Sequence, residues 1–174
     1  MVRWTGETSG MADDTPPALL FIVVGTTLRA EEGDRPLAYY LKDRIENALT
    51  ERGPLDPVWR VCVIADVRWL HEEALQGRPT ISLGGPGVNM VAHQWFSELP
   101  DSLIVDQRIF VQMDPELTDL RASVWGMDNA DTQVAVEVFV RRFLPRFLDQ
   151  CIEHATELPD YDPHPDDADD EDEA

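Results

Sequence analysis

The stretch Ile81–Asn89, reading ISLGGPGVN, constrains the fold of this chain more than any other. A short apolar segment runs into three glycines and a proline, then into a helix-like pattern from Val88 to Leu99. Glycine is required where the backbone takes positive φ or where another group approaches closely. Pro86 suits the first turn of a helix, where its missing N–H is no loss. A strand-to-helix turn of this kind presents free N–H groups at the positive end of the helix dipole, which favours an anion. The elbow is therefore the leading ligand-site candidate, and a strand followed by a helix is the unit to look for elsewhere.

That unit recurs. Ala18–Val24 is a continuous apolar run, read as a strand buried on both faces. Gly25, Thr26 and Thr27 end it, and a polar loop leads to Pro36. Leu37, Leu41, Ile45, Ala48 and Leu49 then recur at helical spacing, with Gly53 as the stop. Val58–Ala65 is a second strand, and Asp66 caps a short helix through Leu75 that Gly77 and Pro79 close. Thr80–Leu83 is the third strand, and the helix after the elbow places Val88, Val91, Ala92, Trp95 and Phe96 on one broad face.

The next part is patterned differently. Leu103–Val105 and Ile109–Met113, separated by Asp106, Gln107 and Arg108, make either a hairpin or one bent strand. Arg121–Trp125 is another strand, ending at Gly126. Asn129 or Asp128 caps a long helix over about Ala130–Ile152. Its Val, Phe and Leu residues surround much of the circumference, so it is expected to be sandwiched or to lie in a dimer contact. Pro145 should kink it. The alternation predicts a single three-layer, Rossmann-like α/β domain over residues 18–154. Its sheet should be mostly parallel, of about five strands, with helices on both faces. Residues 1–17 read as a flexible N-terminal segment, in which Met11 could be the true start, and 155–174 as a disordered acidic tail.

The formal charge is −20, and ten of the acids lie in Glu157–Ala174 with no Lys or Arg among them, leaving −10 for the rest. The tail is expected to solubilise or, less simply, to dock on a basic partner. An acidic body repels phosphate backbones, so nucleic-acid binding is disfavoured. Cys62 and Cys151 lie far apart in sequence and indicate neither a disulfide framework nor a metal cluster, so a reducing cytoplasm is the default location. No apolar segment is long enough to span a bilayer, and no membrane association is expected.

In open parallel sheets ligands sit where strands end and helices begin. Four such ends carry residues other than core formers: Gly25 with Thr26 and Thr27; Asp66; Gly84, Gly85 and Gly87 through Asn89; and Gly126 with Asp128, Asn129, Asp131 and Thr132. Along one edge these could surround a small anionic or polar ligand, although each is also ordinary turn and cap chemistry. No Gly-Lys-Ser/Thr follows the elbow, its glycines are out of register for a dinucleotide fingerprint, and no Gly-x-Ser-x-Gly turn is present. His71 lacks the second histidine of a zinc helix, and no metal or cofactor is assigned. Asp66 facing Asp128 or Asp131 across a crevice could form an acid–base pair, because two carboxylates in one cleft push their pKa values apart. The plainer reading makes each a helix-start residue.

Val24–Leu28 looks like a loop of sirtuin deacylases, but the other nucleotide-binding motifs of that family are missing. The Gly84–Asn89 stretch, together with Gly126, Asp128, Asp131, Thr132 and Ala135, resembles segments of archaeal surface-layer proteins and bacterial cell-wall-binding repeats. That likeness covers under a quarter of the chain and implies an α/β fold rather than a cell-wall role. Three functions follow as expectations. The first is a small-ligand-binding or regulatory module at the strand ends. The second is a small hydrolase using paired carboxylates. The third is a protein-interaction partner, or homodimer, acting through the apolar helix around Phe139, Phe143 and Phe147 and the acidic tail.

Overall fold

A strand made only of apolar residues is stable when both its faces are covered, and β1 (Ala18–Val24) lies in the interior for that reason. Leu20, Ile22 and Val24 enter one core cluster, while Phe21 and Val23 enter another. The structure is a computed structural model in which residues 15–155 are described. The expected tail beyond Ala155 and most of the expected N-terminal segment lie outside the described residues.

The chain continues through α1 (Leu28–Glu51), β2 (Trp59–Ala65), α2 (Asp66–His71), α3 (Glu73–Gln76) and β3 (Thr80–Leu83). It then forms α4 (Met90–Trp95), β4 (Asp101–Val105), β5 (Ile109–Met113), β6 (Arg121–Gly126), α5 (Asn129–Arg142) and α6 (Leu144–Glu153). The strands form one six-stranded sheet in the order β2-β1-β3-β6-β5-β4. β2, β1, β3 and β6 run parallel, and β5 and β4 return antiparallel along one side. The sheet is thus mixed and one strand wider than expected. The first cluster joins it to α1, α5 and α6 through Leu41, Ile45, Phe139 and Phe147; the second joins it to α2 and α4 through Trp69 and Trp95. Each such side chain contributes about 1.5–3 kcal/mol by leaving water.

Several element boundaries differ from expectation for identifiable reasons. α1 begins at Leu28, where Thr27 Oγ1 accepts from the Ala30 N–H at 3.2 Å, and carries Pro36 in its interior rather than at its start. α4 is short, and Phe96 is 53% exposed instead of sharing the buried face of Val91, Ala92 and Trp95. Pro86 lies in a turn closed by Val88 N–H and Asn89 N–H on the Gly85 carbonyl, both 3.0 Å, and the helix starts only after Asn89. The residues around Asp106 form a hairpin: Asp106 and Gln107 take φ of 50° and 54°, and the Arg108 N–H reaches the Val105 carbonyl at 2.9 Å. Two successive left-handed residues define the turn whose twist matches paired strands. The last helix breaks at Phe143, two residues before Pro145, which then stands in the first turn of α6. Phe139 and Phe147 are fully buried, so the apolar circumference reflects sandwiching within the domain.

Candidate functional site

The strand order places β2 and β3 on opposite sides of β1, so the loops leaving the C-terminal ends of β1 and β3 diverge across the sheet. Such a switch point opens a crevice in parallel sheets. A cleft of about 830 Å³ occurs there, walled by the first turns of α1, by Gly85–Val88 after β3, and by Trp125–Asn129 and Thr132 where β6 passes into α5. Its volume falls within the ~300–1,000 Å³ usual for small-molecule sites. Of the four expected strand ends, those after β3 and β6 line it, through Gly85, Gly87, Gly126, Asp128, Asn129 and Thr132. Gly25, Thr26 and Thr27 after β1 lead into its α1 wall rather than lining it, and Asp66, which follows the edge strand β2, is absent from the lining as well.

Close backbone approach holds these walls together. A Cβ on Gly25 would overlap the Val88 carbonyl, and one on Gly126 would overlap the Asp131 backbone. Gly85 lies against the Trp125 ring, its Cβ position 3.3 Å from the ring edge. Trp125 in turn stacks on Phe110, with ring centroids 4.0 Å apart. Gly87 has open space at its Cβ position and faces the cleft.

The polar residues sort into two groups. Asn89, 1% exposed, is saturated: Nδ2 donates to the Val23 and Leu83 carbonyls at 3.0 and 2.9 Å, and Oδ1 accepts from Val91 and Ala92 N–H. Asp66 Oδ1 accepts from Val67 N–H at 2.8 Å and from the Thr26 hydroxyl at 3.3 Å, and its Oδ2 accepts from Met90 N–H at 2.8 Å. One carboxylate thus closes the starts of α2 and α4. At the start of α4 the Met90 N–H is bonded to Asp66 and the Val91 and Ala92 N–H groups to Asn89, while within the elbow the Val88 and Asn89 N–H groups are bonded to the Gly85 carbonyl. Thr27 caps α1, and Thr132 accepts from Gly126 N–H at 3.1 Å while donating to the Asp128 carbonyl at 2.9 Å. Asp128 caps α5 through Asp131 N–H, and both acids bind Arg108, at 2.8 and 2.6 Å. Asp66 is not brought into this arrangement.

Asp34 is the exception, and the reading of the sequence missed it. It lines the cleft from α1 and is 7% exposed, and among the described residues no hydrogen bond or ion pair reaches its carboxylate. Burial pushes it up to about 6, against the pull of Arg29. Gly84 takes φ +96° beside it, and a Cβ there would overlap Asp34 Oδ2. The signal was present: Ala30, Asp34, Ala38, Leu41 and Ile45 form one buried stripe of α1, with an acid where an aliphatic residue would pack. Placing the helix start at Pro36 hid it.

Leu28, 75% exposed, and Met127, 56% exposed, give the cleft an apolar mouth, with Arg29 and Glu32 beside it. Among the described residues no group of three or more His, Cys, Asp or Glu could hold a metal ion, and no helix is long and apolar enough to cross a membrane. The molecule is thus defined as a mixed α/β domain with a partly apolar cleft at a sheet switch point. No protein-family model matches the chain, and a search of curated proteins finds no similar one.

Proposed function

We propose that this chain is a Rossmann-like, three-layer ligand-binding or regulatory α/β domain whose site is the cleft between α1, the Gly85–Val88 turn and the Trp125–Thr132 segment. The observation that carries this reading is one opening shared by α1, the turn after β3 and the β6–α5 junction, floored by a buried carboxylate without a partner. Gly85, Gly87, Gly126 and Thr132 then serve as walls. Gly25, Thr27, Gly84 and Asn89 serve by shaping them, and Thr26 by holding Asp66. A structural carboxylate has its donors supplied by the fold; one left open beside solvent is suited to receive a donor from outside. Binding is favoured over hydrolysis because Asp66 is fully engaged apart from Asp128 and Asp131, and those two neutralise Arg108.

Gly87 provides a clean test, since its Cβ position is open and on the cleft. Gly87→Phe should fold normally and obstruct the opening. Thermal-shift screening against amines, nucleotides and sugar phosphates should find a stabilising ligand for the wild type whose effect is lost in Gly87→Phe. Equal stabilisation of both proteins by every hit would place binding elsewhere and defeat the reading.

A further inference from the structure

We propose that Asp34 is the ligand-contacting residue of this cleft and that it takes an organic cation, an ammonium or guanidinium group on a small molecule. The assignment rests on the cleft being the ligand site and names the chemistry that the site recognises. An ionised carboxylate removed from water is costly unless something offsets the lost hydration. Asp34 is 7% exposed, and the fold offers it no hydrogen bond and no ion pair. The room for it is nevertheless built in. Its Oδ2 occupies the space a side chain would take at Gly84, and Gly84 adopts the positive φ that makes glycine the fitting residue there.

The surrounding charge selects the sign of the guest. Glu32 and Arg29 stand on α1 at the mouth, Asp128 reaches the cleft from the turn before α5 but is tied to Arg108, and Gly84–Val88 brings no charged group. Arg29 is the one cation in the lining, it is exposed, and it forms no ion pair with Asp34. Outside the acidic tail the chain still carries −10, which concentrates small cations near its surface. A cationic nitrogen reaching Asp34 would exchange its hydration for a charge-assisted contact with the buried carboxylate and leave its carbon skeleton against Leu28, Val88 and Met127. The raised pKa of Asp34 agrees with this, because a bound cation favours the ionised form that burial opposes.

The test is titration calorimetry with amide-shift mapping at about pH 7.5. Putrescine and agmatine serve as cationic probes, and inorganic phosphate and AMP as anionic ones. At least one amine should bind, shifting the Gly84, Gly85 and Met127 amides. Its affinity should fall about tenfold or more in both Asp34→Asn and Asp34→Ala. The same binding should weaken in the wild type as pH falls from 7.5 to 5, while Asp34→Asn loses that pH dependence. If amines bind at these amides with equal affinity in both Asp34 variants, the cation assignment is overturned. If phosphate or AMP shifts the same amides and the amines do not, the cleft stands as the ligand site and the cation assignment falls. If no probe shifts them, both readings fall together.

Discussion

Asp66 and Asp34 are both buried carboxylates near the C-terminal ends of parallel strands, 1% and 7% exposed. Asp66 accepts from two backbone N–H groups and a hydroxyl, whereas Asp34 accepts from nothing among the described residues. The first is what the sequence pattern of a helix start implies. The second has no local structural task, since it sits mid-helix on a stripe of Ala, Leu and Ile. Saturation separates the two roles better than burial does: a group whose partners all come from the fold stabilises it, and a group without them is held ready for something else.

The largest effects should fall on the saturated side. Asn89→Asp keeps size but sets a carboxylate oxygen against the Val23 and Leu83 carbonyls that Nδ2 now serves. A loss of about 4 kcal/mol is expected from urea denaturation, with Asp66→Ala close behind at about 3 kcal/mol because Val67 and Met90 N–H lose their acceptor. Losses below ~1 kcal/mol in both would mean that water replaces these bonds and that saturation carries no structural meaning here. Gly84→Ala comes next, at roughly 2–3 kcal/mol, from positive φ and from collision with Asp34 Oδ2. In the Asp34→Ala background the collision should vanish, leaving about 1 kcal/mol for φ alone. A cost that did not change in the double variant would show that Asp34 and Gly84 are not in contact.

On the unsaturated side the sign reverses. Because the folded-state pKa of Asp34 is raised from 3.8 to about 6, the folded protein holds this proton more tightly than the unfolded chain does. Stability from this group therefore falls as pH rises from about 4 to about 6, and is flat above that. Asp34→Asn removes the penalty. It should stabilise the protein by on the order of 1–2 kcal/mol at pH 8, with the advantage shrinking towards pH 4, as read from denaturation midpoints at several pH values. Destabilisation at pH 8 would place Asp34 on the structural side with Asp66.

The contrast also marks what could be read from residues alone. β1, β3 and β6 were legible because each is a short run, mostly apolar, stopped by a glycine, and the expected ends of β3 and β6 do line one cleft. Asp66 was legible as a helix-start residue, but not as the acceptor for Met90, 24 residues away, since that depends on how β2 and β3 lie in the sheet. The hairpin stayed ambiguous because Asp106 and Gln107 adopt left-handed geometry without the glycine that usually announces it. Asp34 was lost for a single reason. Pro36 is a strong start signal taken one residue at a time, yet a capped first turn and the packing of Ala30 and Ala38 carry the helix through it. Cys62, in the middle of an apolar run, is only half-buried, on a strand that the topology places at the sheet edge.

The smallest expected effect tests how finely saturation is set. Thr26 is exposed and donates to Asp66 Oδ1 at 3.3 Å, the longest of the bonds that oxygen pair receives. Thr26→Val removes the hydroxyl and leaves both backbone donors in place. Water can reach the vacated position, so the loss should be about 0.5 kcal/mol or less by thermal denaturation. A loss approaching that of Asp66→Ala would mean that the hydroxyl orients the carboxylate for Val67 and Met90. Asp66 would then depend on a cooperative three-membered network, and the difference from Asp34 would lie in the arrangement of donors rather than in their number.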